Sequence, residues 1–279
     1  MTNSSIVVAT DFSARADRAI DRGWQLSREK NCLIRFLHAL DIEDAETADR
    51  AELDRKMREC IGAEQTEGKV EFAYPEGTPP RAIARAGEAE DVSLLVVGPA
   101  RYNSLGDYFL GTSVDYLLRN TSKPVLVVKN RARGPYRQIV AGTDFSVGSA
   151  HAIITAARMF PEAAVHIVHA WHVPFQAWQQ DRYVADEIAQ SEQEKMEDFL
   201  AEIAAREARL AQATTELVEG SALQAINTGL KRDPTALVIL GSHGTSGFRQ
   251  AAIGSVTSDL LRSVEADMLV VNVKQATAS

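Results

Sequence analysis

The chain has 279 residues, enough for two ordinary domains that each bury a core, and its 45% hydrophobic and 24% charged residues exclude a disordered or fibrous class. Thirty-eight acidic against 30 basic residues leave a net charge of −8, which argues against nucleic acid as the main partner. The two cysteines, Cys32 and Cys60, have neither a CxxC neighbour nor metal-ligand spacing.

In chain order, the N-terminus MTNSSIVVATDFS has no basic region followed by a long apolar stretch, so it does not read as a secretory signal. No apolar run approaches the ~20 residues that span a bilayer. A cytoplasmic protein is the expectation. The first strand, IVVA, runs into Thr10-Asp11, and residues 13–30 then carry Ala16, Ile20 and Trp24 at helical intervals, with Asp11 and Ser13 as candidate N-caps. Further β-branched or apolar runs follow: LIRFLHA from residue 33, VEFAY from 70, LLVV from 94 and VLVV from 125, with helical spacing between them. Residues 98–114 read GPARYNSLGDYFLGTSV. The polar stretch NRARGPYRQ at 130–138 reads as a linker, and its basic residues as a solvated face.

Beyond the linker the order repeats. IVAGTDFS at 139–146 shares six of eight residues with IVVATDFS at 6–13. VHIVHAWHV at 165–173 echoes LIRFLHALDI, EGSALQAI at 219–226 echoes EGTPPRAI at 76–83, VILG echoes LLVVG, and GSVTSDLLR at 254–262 echoes GTSVDYLLR at 111–119. Residues 181–213 form a long charged amphipathic stretch, with Ile188, Met196, Phe199, Leu200 and Ile203 as its expected buried stripe. One domain is therefore written twice, over 1–133 and 134–279. Alternating strands and helices predict two tandem open α/β domains, each with a parallel sheet flanked by helices and a ligand crevice at the strands' carboxyl ends.

The segment GSHGTSGFRQAAIGSV at 241–256 follows the strand ALVIL and has the skeleton Gly-x2-Gly-x9-Gly-Ser on Gly241, Gly244, Gly254 and Ser255. Glycines allow positive φ and close backbone approach, while a helix start at Gly254-Ser255 offers free N–H donors to an anion, with hydroxyls from Ser255 and Thr257. By spacing alone it is equally a glycine-rich turn before a Ser-capped helix. It is not a Walker loop, since no lysine lies between Gly241 and Gly254. Thr143-Asp144 ends the first strand of the second copy, where the carboxylate either meets a ligand or caps the next helix. On a strand His166 and His172 face one way and His169 the other, which disfavours a metal site. His169 and His38 read instead as packed, hydrogen-bonded strand-end residues, and His243 as solvent-facing.

Together, IVxxTDFS, the strand HIVHAWHV and the glycine skeleton resemble the universal stress protein family in its tandem two-domain form. The resemblance implies a Rossmann-like, five-stranded parallel sheet per domain and an ATP site, with or without Mg²⁺, where the pattern is intact. It places Thr143, Asp144 and Ala170 by the adenine, Leu240 and Gly241 against the nucleotide, and Gly244, Gly254, Ser255, Val256 and Thr257 around ribose and phosphates. The first copy keeps Thr10, Asp11, Gly98, Gly111 and Thr112 but departs at Pro99 and Arg101. It is expected to be degenerate. The implied function is sensing or regulation in the stress response, with no catalytic residues; a slow ATPase, or a carrier of a lipid-like or other small ligand in domain 1, are the alternatives. The two domains are expected to pack as a pseudo-dimer through VLVV and LVV, and a further homodimer is compatible with that.

Overall fold

The computed structural model describes residues 4–14, 16–62, 69–99, 112–173, 182–242 and 253–272. The first repeat runs β1 (Ser5–Ala9), α1 (Asp17–Lys30), β2 (Leu33–Leu37), α2 (Ile42–Thr47), α3 (Arg50–Ile61), β3 (Val70–Ala73), α4 (Pro79–Gly87), β4 (Val92–Val97), α5 (Thr112–Asn120) and β5 (Val125–Val127). The second runs β6 (Gln138–Thr143), α6 (Val147–Met159), β7 (Ala164–Trp171), α7 (Arg182–Arg206), a 3₁₀ turn (Ala208–Gln212), β8 (Thr214–Glu219), α8 (Ala222–Leu230), β9 (Leu237–Gly241), α9 (Ser255–Ser263) and β10 (Met268–Val271). The duplication seen in the sequence is thus a duplication of elements, five strands in each repeat.

The chain divides into two compact units. The first holds residues up to Pro135 together with Ile253 and the segment from Asp267. Its strand order is β3-β2-β1-β4-β5-β10. The strands of the first repeat pair in parallel, and β10 joins β5 antiparallel, with Leu269 opposite Leu126. VLVV and LVV therefore do pair. The addition is held by a buried ion pair, in which the Arg22 guanidinium lies 3.4 Å from the Asp267 carboxylate, the side chains 5% and 2% exposed. Asp267 Oδ1 also accepts the Lys129 and Asn130 N–H groups, each at 2.8 Å. Burial of both charges is tolerated because they are paired and hydrogen-bonded.

The second unit has the order β9-β6-β7-β8, all parallel. In both units the first strand of the repeat is flanked on one side by its second strand and on the other by its fourth. The order reverses there, so the crevice at the carboxyl ends of β6 and β9 is a topological switch point. The central strands are fully buried, from Ile6, Val7 and Val8 to Ile139, Val140, Leu237, Val238 and Ile239. This explains their near-continuous apolar runs, since helices cover both faces.

Three local expectations change. Helix α1 starts later than Asp11 or Ser13 predicts: its N-cap is Ala16 and has no side-chain cap. In the second repeat Ser146 is the N-cap, accepting the Ser149 N–H. The long stretch at 181–213 is not one helix, because Glu207 is extended (φ −146°) and the chain re-enters a 3₁₀ turn that buries Leu210. Of the predicted stripe, Met196, Phe199 and Ile203 are buried, while Ile188 and Leu200 are half-buried. No helix among the described residues is long and apolar enough to cross a membrane.

Candidate functional site

A cavity of about 480 Å³ opens at the carboxyl ends of the strands of the second unit, within the usual size range of small-molecule sites. Its apolar wall comes from Val168 and Ala170 on β7, Ile226 on α8, Leu240 on β9 and Leu260 on α9. Nine residues singled out in the sequence line it together: Thr143, Asp144, Ala170, Leu240, Gly241, Gly254, Ser255, Val256 and Thr257. Gly244 and His243 lie outside the described residues, as do Arg101 and Gly111 of the first repeat.

The local chemistry begins at the end of β6. Thr143 is buried, and its hydroxyl shares a 2.8 Å hydrogen bond with Ser149 Oγ while accepting the Phe145 N–H at 2.9 Å. Asp144 Oδ1 accepts the Ser146 N–H at 3.1 Å, so this carboxylate shapes its own turn rather than capping α6. The turn is tight enough to hold Phe145 at φ 61°, a left-handed conformation that bulky side chains rarely adopt. Phe145 is held there by stacking on His169, ring centroids 4.1 Å apart, and by the edge of Phe199 on α7. The same turn occurs in the first repeat, with Phe12 at φ 59° and its N–H donated to Thr10 Oγ1.

Three helix N-termini meet around the cavity. Ser146 caps α6, and a reciprocal Ser221–Gln224 capping box closes α8. Helix α9 alone of the three starts without a side-chain cap, at Gly254. Its first-turn N–H groups and positive dipole end therefore form the best place in this wall for an anion. Among the described residues, a Cβ at Gly254 would meet Ser242 O at 3.6 Å and Thr257 Oγ1 at 3.9 Å, ordinary contact distances that leave the helix start uncrowded.

Two residues have a different role from the one their types suggest. Gly241 does not adopt positive φ. A Cβ there would lie 3.1 Å from the backbone of Gly148, so the glycine lets β9 pass close under the start of α6. The Thr257 hydroxyl donates to Gly241 O at 2.9 Å, which ties α9 to β9 and leaves its backbone N–H, not its hydroxyl hydrogen, for an anion.

Other lining residues escape a motif search. Gly142, Ser149, His169, His172, Gly220 and Ser221 all border the cavity. Gly220, at φ 142°, turns the chain from β8 into α8, and the EG[ST] shared by the two repeats is the signal that could have found it. The three histidines do not converge, and His172, one residue past the end of β7, does not follow the strand alternation expected of it. His166 turns to Thr214 and Glu216, whereas His169 and the exposed His172 face the cavity. Among the described residues no group of three or more His, Cys, Asp or Glu is placed to hold a metal ion.

In the first unit a shallow, open hollow of about 440 Å³ lies on the α3 face, bordered by Ala51, Asp54, Arg55, Arg58 and Glu59. Pro99, separated from the end of β4 by Gly98, has no N–H to offer at the position Ser242 holds in the second repeat.

The universal stress protein family model matches this chain twice, over residues 2–129 and 135–272. The chain belongs to the universal stress protein family. Two successive matches make it a tandem member with two family domains. A universal stress protein from Pseudomonas aeruginosa UCBPP-PA14 is similar at 19% identity, with 96% of this chain and 92% of that one covered and a TM-score of 0.65. Another from Archaeoglobus fulgidus DSM 4304 is similar at 17% identity, covering 98% and 99% of the two chains with a TM-score of 0.63. These likenesses concern the fold. Among curated proteins none matches the chain.

Proposed function

We propose that this universal stress protein binds ATP in the cavity of its second unit and acts as a sensing or regulatory module. The observation that carries the reading is the convergence, in one crevice, of an apolar slot, a half-buried carboxylate and the only uncapped helix start of the three around it. The slot between Val168, Ala170, Ile226 and Leu240 suits a planar base. Asp144 and Thr143 stand beside it as polar partners for an exocyclic amine or ribose hydroxyls. The α9 N-terminus receives the phosphates through backbone donors. Gly244, from its place in the motif, completes the phosphate loop, and Mg²⁺, where present, rides on the phosphates.

Turnover is slow or absent in this reading. The described wall of the cavity has one carboxylate, Asp144, and no lysine or arginine, so the cationic and acid-pair machinery of fast phosphoryl transfer is not assembled there. Occupancy, rather than chemistry, is then the signal: ATP stabilises the conformation that holds it and alters what the protein contacts. The first unit, with Pro99 and Arg101 in its loop, is released from this role. Titration of the full-length protein with ATP, with phosphate release followed in parallel in Mg²⁺, tests the proposal. Saturable binding without turnover supports it; no binding, or release at enzyme-like rates, removes it.

A further inference from the structure

His169 belongs to two environments at once. It lines the cavity, and its ring also meets helix α7. Nδ1 lies 2.8 Å from Thr143 O, a carbonyl that only accepts, so Nδ1 carries a hydrogen. Nε2 lies 3.3 Å from Glu192 Oε2, with the two side chains 14% and 16% exposed. The other Glu192 oxygen receives Lys195 at 2.8 Å. The imidazole face stacks on Phe145. One ring thus fixes the carbonyl of Thr143 and the strained Phe145 on either side of Asp144, while Glu192 fixes the ring.

The first repeat supplies an internal comparison. His38 Nδ1 meets Thr10 O at 2.9 Å, and His38 packs on Phe12 at 4.2 Å. Among the described residues, however, His38 has no carboxylate partner. The carboxylate is an addition of the second repeat, and it comes from α7, a helix of 25 residues where the first repeat has the 12-residue α3. It accompanies the repeat whose glycine motif is intact.

We infer that Glu192 is a positioning residue for the cavity, acting through His169, and that it couples the order of helix α7 to the filling of the cavity. The inference rests on the nucleotide reading of that cavity. Coupling runs both ways: whatever Glu192 contributes to binding, ligand binding returns to α7 as added protection.

The test uses the full-length protein, with ATP as probe. Glu192→Ala removes the carboxylate that faces His169. A carboxylate only accepts, so the pair is a hydrogen bond in which Nε2 as well as Nδ1 carries a hydrogen, and its loss predicts about three- to tenfold weaker binding. Glu192→Gln keeps a hydrogen-bonding group at the same reach and restores affinity to within about twofold, whereas Glu192→Leu, which keeps the bulk without the hydrogen bond, stays as weak as Glu192→Ala; a mere helix-packing role would be rescued by both. Lys195→Ala, which removes only the exposed partner of Glu192, leaves affinity unchanged. In hydrogen exchange, ATP slows the α7 amides in wild type and not in Glu192→Ala. Equal affinity and equal α7 protection in wild type and Glu192→Ala overturn the inference while the nucleotide site stands, as does a Glu192→Gln variant no better than Glu192→Ala. A wild-type protein that does not bind ATP removes the nucleotide reading and this inference together.

Discussion

Thr143→Val isolates the turn on which the cavity depends. The substitution keeps the shape of the side chain and removes one oxygen, which accepts the Phe145 N–H at 2.9 Å and shares 2.8 Å with Ser149 Oγ. Two hydrogen bonds at about 1 kcal/mol each predict a loss of about 2 kcal/mol. The first repeat is the control. Thr10 accepts the Phe12 N–H at 3.0 Å, but Ala16 stands where the second repeat has Ser149, so Thr10→Val loses one bond and about 1 kcal/mol. Denaturant unfolding at constant temperature measures both, and the predicted difference of about 1 kcal/mol corresponds to roughly 2–4 °C in a melting experiment. Thr143→Val should also weaken ATP binding, whereas Thr10→Val should not. If the two variants cost the same, or if Thr143→Val is silent in both measurements, the turn does not carry the role assigned to it.

Three other outcomes follow from the same geometry. Asp267→Asn leaves the Arg22 guanidinium buried without its counter-charge and should cost about 3 kcal/mol, seen as an earlier unfolding transition; a change under about 1 kcal/mol contradicts the buried pairing. Burial, helped by Arg232, pushes the His166 imidazole below its ordinary value of 6.5, and burial with Arg206 and Arg158 does the same to His151. Below pH 6.5 the unfolded chain therefore binds protons that the folded chain refuses, so stability falls as pH drops under 6.5, and His166→Gln should flatten that slope in pH-dependent unfolding. Gly241→Ala puts a methyl 3.1 Å from the Gly148 backbone and should cost about 1–3 kcal/mol while weakening ATP binding; an unchanged melting point would show that the strand and helix can part there freely.

Much of this was readable in the chain because the physical signals are strong. Fully buried parallel strands leave near-continuous runs such as IVVA and VILG, and the two copies cross-check each other. The lining residues of the cavity were legible where they sit at strand ends or in the glycine skeleton. What stayed hidden depends on contacts distant in sequence. The requirement for glycine at 241 arises from Gly148, 93 positions earlier, and not from a ligand. The commitment of the Thr257 hydroxyl depends on where the Gly241 carbonyl points. Phe145 at positive φ breaks a local rule that its packing on His169 and Phe199 overrides. Glu192 looks like any other acid on a charged helix until α7 is laid against β7.

The central claim is that the open start of α9 receives the phosphates of a nucleotide held by the second unit. Calorimetric titration of ATP into wild type and Gly254→Asp tests it most directly. Against the described neighbours the aspartate Cβ keeps ordinary contact distances, and the side chain supplies the missing N-cap, so the helix should be held as well as before or better, by a few tenths of a kcal/mol. Its carboxylate, however, occupies the donors and sets a negative charge against the phosphates. The account predicts a variant with an undiminished melting temperature that has lost ATP binding; a Gly254→Asp protein that binds ATP as tightly as wild type would contradict it.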